Sequence, residues 1–221
     1  MADLFEPPRF IAIEGPIRVG KSTLARILAE TLHGRRIVEP ENNPFLDRFY
    51  QEMSMALATQ MWFLVERYDQ MRQAAKDLAG SDPWPIVADY LFEKDKLFAY
   101  INLSDAELAL YNRYYQDFRN EVPTPDLVIY LQASPEVLKQ RLKRKGLTQE
   151  QAISDAYIEQ VAKAYEHFFF HYTASDVLVV DTSEIDFVNR DQDLALLLKR
   201  LSEPIKGKQY FLPPSAPGNG G

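Results

Sequence analysis

The stretch Arg9-Phe10-Ile11-Ala12-Ile13-Glu14-Gly15-Pro16-Ile17-Arg18-Val19-Gly20-Lys21-Ser22-Thr23 decides how the rest of the chain is read. Its first six residues, RFIAIE, form a short apolar run without amphipathic alternation, the pattern of a strand buried on both faces. Gly15 to Ser22 then satisfies GxxxxGK[ST], and Lys21 to His33 follows with helical periodicity, Gly34 serving as a C-cap. Strand, glycine loop and helix in that order let successive backbone N–H groups curl inward around phosphate oxygens, reinforced by the positive end of the helix dipole. Gly15, Pro16, Ile17, Arg18, Val19, Gly20 and Thr23 are thus the expected cradle for ATP. Lys21 is expected to reach its β- and γ-phosphates, and the Ser22 hydroxyl to ligate Mg²⁺.

Four more short apolar runs lie outward from this loop: Arg35 to Glu39, Trp84 to Asp89, Asp126 to Leu131 and Val177 to Asp181. Between them the periodicity predicts helices over about 43–53, 54–79, 92–120, 135–144, 155–172 and 184–202. Buried strands separated by helices require right-handed crossovers, hence an α/β domain of three layers with a parallel sheet in the middle. Residues 1–203 make up this single domain. From Pro204 the sequence PIKGKQYFLPPSAPGNGG is rich in Pro, Gly and Ser and reads as a flexible tail, docking through Tyr210 and Phe211 being the alternative.

Composition narrows the function classes. A chain of 221 residues with 46% hydrophobic and 26% charged residues is an ordinary globular protein. Its 25 Lys+Arg against 32 Asp+Glu give a formal charge of −7, which argues against a nucleic-acid binder that grips phosphates through a basic face. No cysteine is present, which excludes disulfides, thiolate zinc sites and Cys nucleophiles. No apolar run approaches the ~20 residues of a membrane span, and the acidic, Pro-containing start does not read as a signal peptide. The expected location is the cytoplasm.

A phosphate loop does not by itself name the acceptor. A guanine-reading NKxD is absent, and Asp77-Leu78-Ala79-Gly80, a DxxG by letter, follows a helix rather than a strand. A kinase or a nucleotide-driven motor remains. Ligands collect at the carboxyl ends of parallel strands, where Glu39 and Asp89 each close an apolar run. Such carboxylates hold Mg²⁺ or accept the proton of an attacking hydroxyl. On the long helix, Gln60 and Arg67 lie seven residues apart beside the core-facing stripe; a Gln amide can read a nucleobase edge, although packing alone also explains both. Arg141, Lys143, Arg144 and Lys145, closing at Gly146, suit a lid over ATP or a solvated helix end. His167 and His171 are four residues apart, but without a Glu after the first they belong to a helix edge rather than to a metal. Tyr111, Tyr114 and Tyr115 read as packing or a subunit contact.

Together these segments resemble the deoxynucleoside kinase family in its bacterial deoxyadenosine/deoxyguanosine branch: FIAIEGPIRVGKSTLA, VEPENNPFLDRFY, TQMWFLVERYDQM, VADYLFEKDKLFA, DLVIYLQASPEVL and EQAISDAYIEQV. The resemblance implies a P-loop kinase fold with a five-stranded parallel sheet and a homodimer packed through long helices. The implied reaction moves the ATP γ-phosphoryl to a deoxynucleoside 5′-hydroxyl in nucleotide salvage. By the same resemblance Glu39 meets that hydroxyl as base, and Gln60 and Arg67 face the nucleobase. Glu150, in a lid around 141–150, and Tyr50 hold the sugar 3′-hydroxyl. Arg141, Arg144 and Lys145 then belong to the donor side, and Asp89 with Ser22 to Mg²⁺. Family members carry an arginine after the acid at the third strand end. This chain has Asp89-Tyr90, leaving Lys94 or Lys96 to supply the charge. The rivals are a thymidylate-like monophosphate kinase, with Arg67 and Arg48 gripping the acceptor phosphate, and a non-catalytic ATP-binding switch.

Overall fold

The computed structural model describes residues 7–52, 54–80, 84–145, 153–183 and 185–211. The strands are β1 (Phe10–Glu14), β2 (Arg35–Ile37), β3 (Ile86–Ala88), β4 (Leu127–Gln132), β5 (Asp176–Asp181) and β6 (Lys208–Phe211). The helices are α1 (Lys21–Thr31), α2 (Leu46–Glu52), α3 (Ala56–Leu78), α4 (Lys94–Asn102), α5 (Asp105–Arg119), α6 (Pro135–Lys145), α7 (Asp155–His171) and α8 (Asp191–Leu201). All strand pairs are parallel, in the order β2-β3-β1-β4-β5-β6. No helix among the described residues is long and apolar enough to cross a membrane.

Side chains leave a strand alternately to its two faces, and the core divides accordingly. Ile11, Ile13, Leu127, Ile129, Leu131, Leu178 and Val180 face α1, α6 and α8 through Leu24, Leu28, Leu138, Leu142 and Leu197. On the opposite face Phe10, Ile86 and Ala88 meet Leu64 and Met71 of α3 and Tyr111 and Tyr115 of α5. Ala12, Val128, Tyr130, Val177 and Val179 meet Val161, Tyr165 and Phe169 of α7. Every residue of β1 is buried, as an apolar run without alternation requires.

Two expectations are corrected. The sheet has six strands, not five: Lys208–Phe211, inside the segment read as a tail, pairs in parallel with β5. The docking comes from Phe211, which is buried against the core, while Tyr210 stays exposed. Residues 212–221 lie outside the described residues. The single helix expected over 92–120 is two. Leu103 is extended, and Ser104 restarts the helix with a capping box in which Glu107 accepts from both the Ser104 amide and its hydroxyl. Those two donors hold the Glu107 carboxyl below its ordinary value. After the break both α4 and α5 pack on α3, with the Tyr111 hydroxyl on Asp95.

Candidate active site

The phosphate loop takes its shape from backbone constraints. Gly15 has φ 151°, and a Cβ there would lie 2.1 Å from the Leu131 carbonyl oxygen, so no other residue fits between β1 and β4. Gly20, at φ 103°, opens α1 against the Phe187 ring. Arg18 also adopts a left-handed turn, φ 67°, and the Val19 side chain is buried in the core. Glu14, at the end of β1, is fully buried. Its Oε1 accepts from the Gly15 amide (2.7 Å) and the Tyr165 hydroxyl (2.9 Å), and its Oε2 from the Leu91 amide (2.8 Å). One carboxylate thereby ties the loop to the segment after β3 and to α7. The Lys21 ammonium folds back onto the Gly15 and Pro16 carbonyls, at 2.8 and 3.0 Å. Burial and the nearby Lys94 pull its pKa below the ordinary value, against the opposing pull of Glu14, Glu39 and Asp89.

A cavity of about 790 Å³ opens from this loop toward α3 and α4. It is lined on one side by Gly15, Pro16, Ile17, Lys21 and Ser22 and on the other by Glu39, Gln60, Arg67, Asp89 and Lys94. Phe63, Phe98 and Tyr157 contribute apolar walls. The volume suits a small organic ligand. Glu39 Oε1 accepts from Lys94 Nζ and from Arg67 Nη2, both at 2.7 Å. Burial alone would raise the Glu39 pKa, but Lys94, Arg67 and Lys21 outweigh it and hold the carboxyl far below the carboxylate range. The Arg67 guanidinium continues to Asp95 Oδ2, which is completely buried. Burial disfavours its charge, and Asp95 and Glu39 more than restore it.

Asp95 organises the Gln60 side of the cavity. Besides Arg67 it accepts from Gln60 Nε2 (2.6 Å) and the Tyr111 hydroxyl (2.8 Å), and its backbone carbonyl accepts from Gln60 Nε2 at 3.0 Å. A backbone carbonyl only accepts, so the Gln60 amide is oriented with its nitrogen on Asp95. Its oxygen is therefore the atom available to a ligand's N–H group.

Asp89 caps β3. Its Oδ1 accepts from the Glu39 amide at 2.6 Å, while Oδ2 is buried without a hydrogen-bond partner. Burial pushes its pKa up, partly offset by the Glu39 amide and the Ser22 hydroxyl. An orphaned carboxylate oxygen beside a loop serine fits a Mg²⁺ ion, which takes one or two protein oxygens and completes its shell with phosphate and water. Among the described residues no group of three or more His, Cys, Asp or Glu could form a protein cage for a metal.

The structure brings Glu39, Lys21, Ser22, Asp89, Gln60 and Arg67 onto one cavity, with Tyr50 on its wall beside Phe49. It does not bring Arg141 there. That side chain donates to Thr182 Oγ1 (2.9 Å) and O (2.6 Å) and to the Arg18 carbonyl (3.4 Å), outside the cavity wall. Thr23, Arg18, Val19 and Gly20 also lie off the wall, and Arg144 is exposed. Glu150, the lid segment 146–150 and the Lys145 side chain lie outside the described residues. Of the two candidate lysines, Lys94 reaches Glu39, whereas Lys96 sits over the rings of Tyr100 and Tyr115. Tyr90 is off the cavity wall, its ring centroid 5.8 Å from the Arg67 guanidinium and its hydroxyl donating to Gln70. Sequence reasoning missed Asp95, Tyr111 and Glu14. The Gln60, Arg67 and Asp95 spacing carries no local signal, because the contacts cross from α3 to α4.

The family described as "Deoxynucleoside kinase" matches residues 11–206. The deoxyguanosine kinase of Bacillus subtilis (strain 168) is 34% identical over 202 residues, 89% of this chain and 97% of its own. The deoxyadenosine kinase of Lactobacillus acidophilus is 29% identical over 208 residues, 89% of this chain and 96% of its own. The structure of deoxyadenosine kinase from M. mycoides with bound dATP superposes with a TM-score of 0.74 at 26% identity, covering 88% of this chain and 100% of that one.

Proposed function

Because the chain belongs to the deoxynucleoside kinase family and is an ATP-dependent kinase of deoxynucleosides, we propose that its preferred acceptor is a purine deoxynucleoside, phosphorylated on the 5′-hydroxyl in nucleotide salvage. The purine preference draws on the named activities of its relatives, deoxyguanosine and deoxyadenosine kinase. The observation that carries the reading is the shared cavity, with a charged Glu39 on one side and the Lys21 loop on the other. In the proposed step the triphosphate lies along the loop amides, and Lys21 leaves the Gly15 and Pro16 carbonyls for phosphate oxygens. Glu39 accepts the 5′-O–H hydrogen bond and aims the oxygen at the γ-phosphorus. The O–P bond forms as the bond to the ADP oxygen breaks, and the hydroxyl proton passes to Glu39. A carboxyl held so far below neutrality is a weak base, so orientation is its larger contribution, and proton transfer comes late in a loose transition state.

Ser22 and Asp89 would hold Mg²⁺, which would supply neutralising charge to the triphosphate. Arg141, Arg144, Lys145 and Glu150 are proposed to complete the site from the lid side, with Tyr50 on the sugar. The protein is proposed to work in the cytoplasm as a homodimer, in keeping with exposed Val65 on α3 and Leu110 and Tyr114 on α5. A monophosphate acceptor needs a free arginine in the pocket. Arg67 is committed to Glu39 and Asp95, and Arg48 is exposed and off the wall.

The test pairs each deoxynucleoside with its monophosphate as acceptors, with ATP and product chromatography. Wild type phosphorylates the deoxynucleosides, and Glu39→Gln keeps nucleoside binding while turnover falls about 10²-fold or more. Near-normal turnover in the variant removes Glu39 from its role, and a preference for the monophosphate overturns the acceptor class.

A further inference from the structure

Lys94 is the first residue of α4, and its side chain is almost completely buried. Burying an ammonium is costly unless it is paired. Its partner is Glu39 Oε1 at 2.7 Å, with Glu14 Oε1 at 3.9 Å and the Phe98 ring beneath it. The same Glu39 oxygen also receives Arg67. Two cations therefore occupy Oε1, and among the described residues no donor reaches Oε2. Lys94 lies on the cavity wall between the phosphate loop and Gln60, close enough to Lys21 to depress that residue's pKa.

We infer that Lys94 is a positioning residue for the transfer step. It clamps Oε1 so that the carboxylate presents Oε2 to the incoming 5′-hydroxyl, and it keeps a fixed positive charge beside the nucleophile. The assignment rests on the deoxynucleoside kinase reading and adds to it a residue contributed by α4 rather than by the end of β3, where Tyr90 faces the core. Arg67 cannot substitute, because its second arm is spent on Asp95. The hydroxyl proton goes to Glu39 and the leaving oxygen stays with ADP.

The experiment compares wild type, Lys94→Met, Lys94→Arg and Lys94→Ala with deoxyguanosine and deoxyadenosine as acceptors. It measures the Kd of nucleoside and ATP, kcat and KM, and thermal melting. Lys94→Met is expected to bind both ligands within about threefold of wild type while kcat falls about 10²-fold, the scale of one lost charged donor. Lys94→Arg is expected to restore most of kcat. Added methylammonium is expected to raise turnover of Lys94→Ala several-fold while leaving wild type unchanged, a rescue that a purely structural role does not produce. The inference is overturned by a Lys94→Met kcat within threefold of wild type, by equal losses of binding and turnover, by a loss that neither arginine nor methylammonium repairs, or by variants that all fail to fold. A wild-type enzyme that phosphorylates no deoxynucleoside instead brings down the kinase reading, and the unmutated protein reports that on its own.

Discussion

The two walls of the cavity are built on opposite plans. The phosphate-loop wall comes from one contiguous segment, Gly15 to Ser22, and its working parts are mostly peptide groups whose directions follow from φ at Gly15 and Gly20. The acceptor wall collects Glu39, Gln60, Arg67, Asp89 and Lys94 from loops, strand ends and two helices, with Asp95 buried behind them, and its working parts are mostly charged side chains holding one another in place. Function and stability are therefore separable on the first wall and fused at the buried Arg67–Asp95 pair of the second. A lysine that folds back on two carbonyls is an accessory to the fold, whereas an aspartate that neutralises a buried guanidinium is part of it.

The sharpest way to break this contrast is Asp95→Asn. It leaves the Arg67 charge buried with Glu39 as its one remaining carboxylate, and the loss is expected to be about 3–5 kcal/mol, a fall in Tm of about 6–20 °C. Nucleoside binding should weaken with it, since Gln60 loses its charge-assisted bond and keeps only neutral acceptors at residue 95. Calorimetry that finds Tm unchanged would show that the acceptor wall is not structural.

Lys21→Met is the converse. Phosphoryl transfer is expected to drop about 10³-fold, yet Tm should move by less than about 4 °C, the equivalent of 1 kcal/mol, because burial already disfavours this ammonium. A large melting shift would erase the distinction between the walls.

Asp89→Asn gives the smallest effect and the most telling sign. Burial raises the Asp89 pKa above its ordinary 3.8. A raised acid favours the fold below the unfolded pKa and loses that contribution as pH rises through the folded value. At pH 7 its charge therefore weakens the fold, and the asparagine variant is expected to melt about 2–4 °C higher for each kcal/mol recovered while losing Mg²⁺-dependent turnover. The gap between the two proteins should close as pH is lowered through the Asp89 titration. A lower Tm at pH 7 would mean that its oxygens are better satisfied than the unpartnered Oδ2 indicates. Glu39 has the opposite sign: its pKa lies below the ordinary 4.5, so the stability it provides holds above that pH and is lost on acidification through its depressed value.

The same contrast explains how much the sequence revealed. β1, the loop and α1 were legible because apolar run, glycine spacing and helical period all sit within 25 consecutive residues. Glu39 and Asp89 were legible as acids closing strands. Gln60 and Arg67 could be placed beside the stripe of α3, but what orients them was invisible, since Asp95 and Tyr111 approach from α4 and α5 only after Leu103 and Ser104 break the helix. Arg141 shows another limit: its basic neighbours were visible in the sequence, but the Thr182 and Arg18 carbonyls that hold it beside the loop come from segments far away in the chain. The sixth strand escaped notice because KQYF is only four residues long and is flanked by glycine and prolines.

That last strand has a practical consequence. A shortened version ending after α8, trimmed as though the remainder were idle, would strip β5 of its neighbour and lay bare a row of peptide N–H and C=O groups along an apolar strand. Such a rim is a template for another molecule's backbone, and the Phe211 side chain would leave a gap where it now seals the adjoining core. Protein made that way invites clumping, so a truncation should keep Lys208–Phe211.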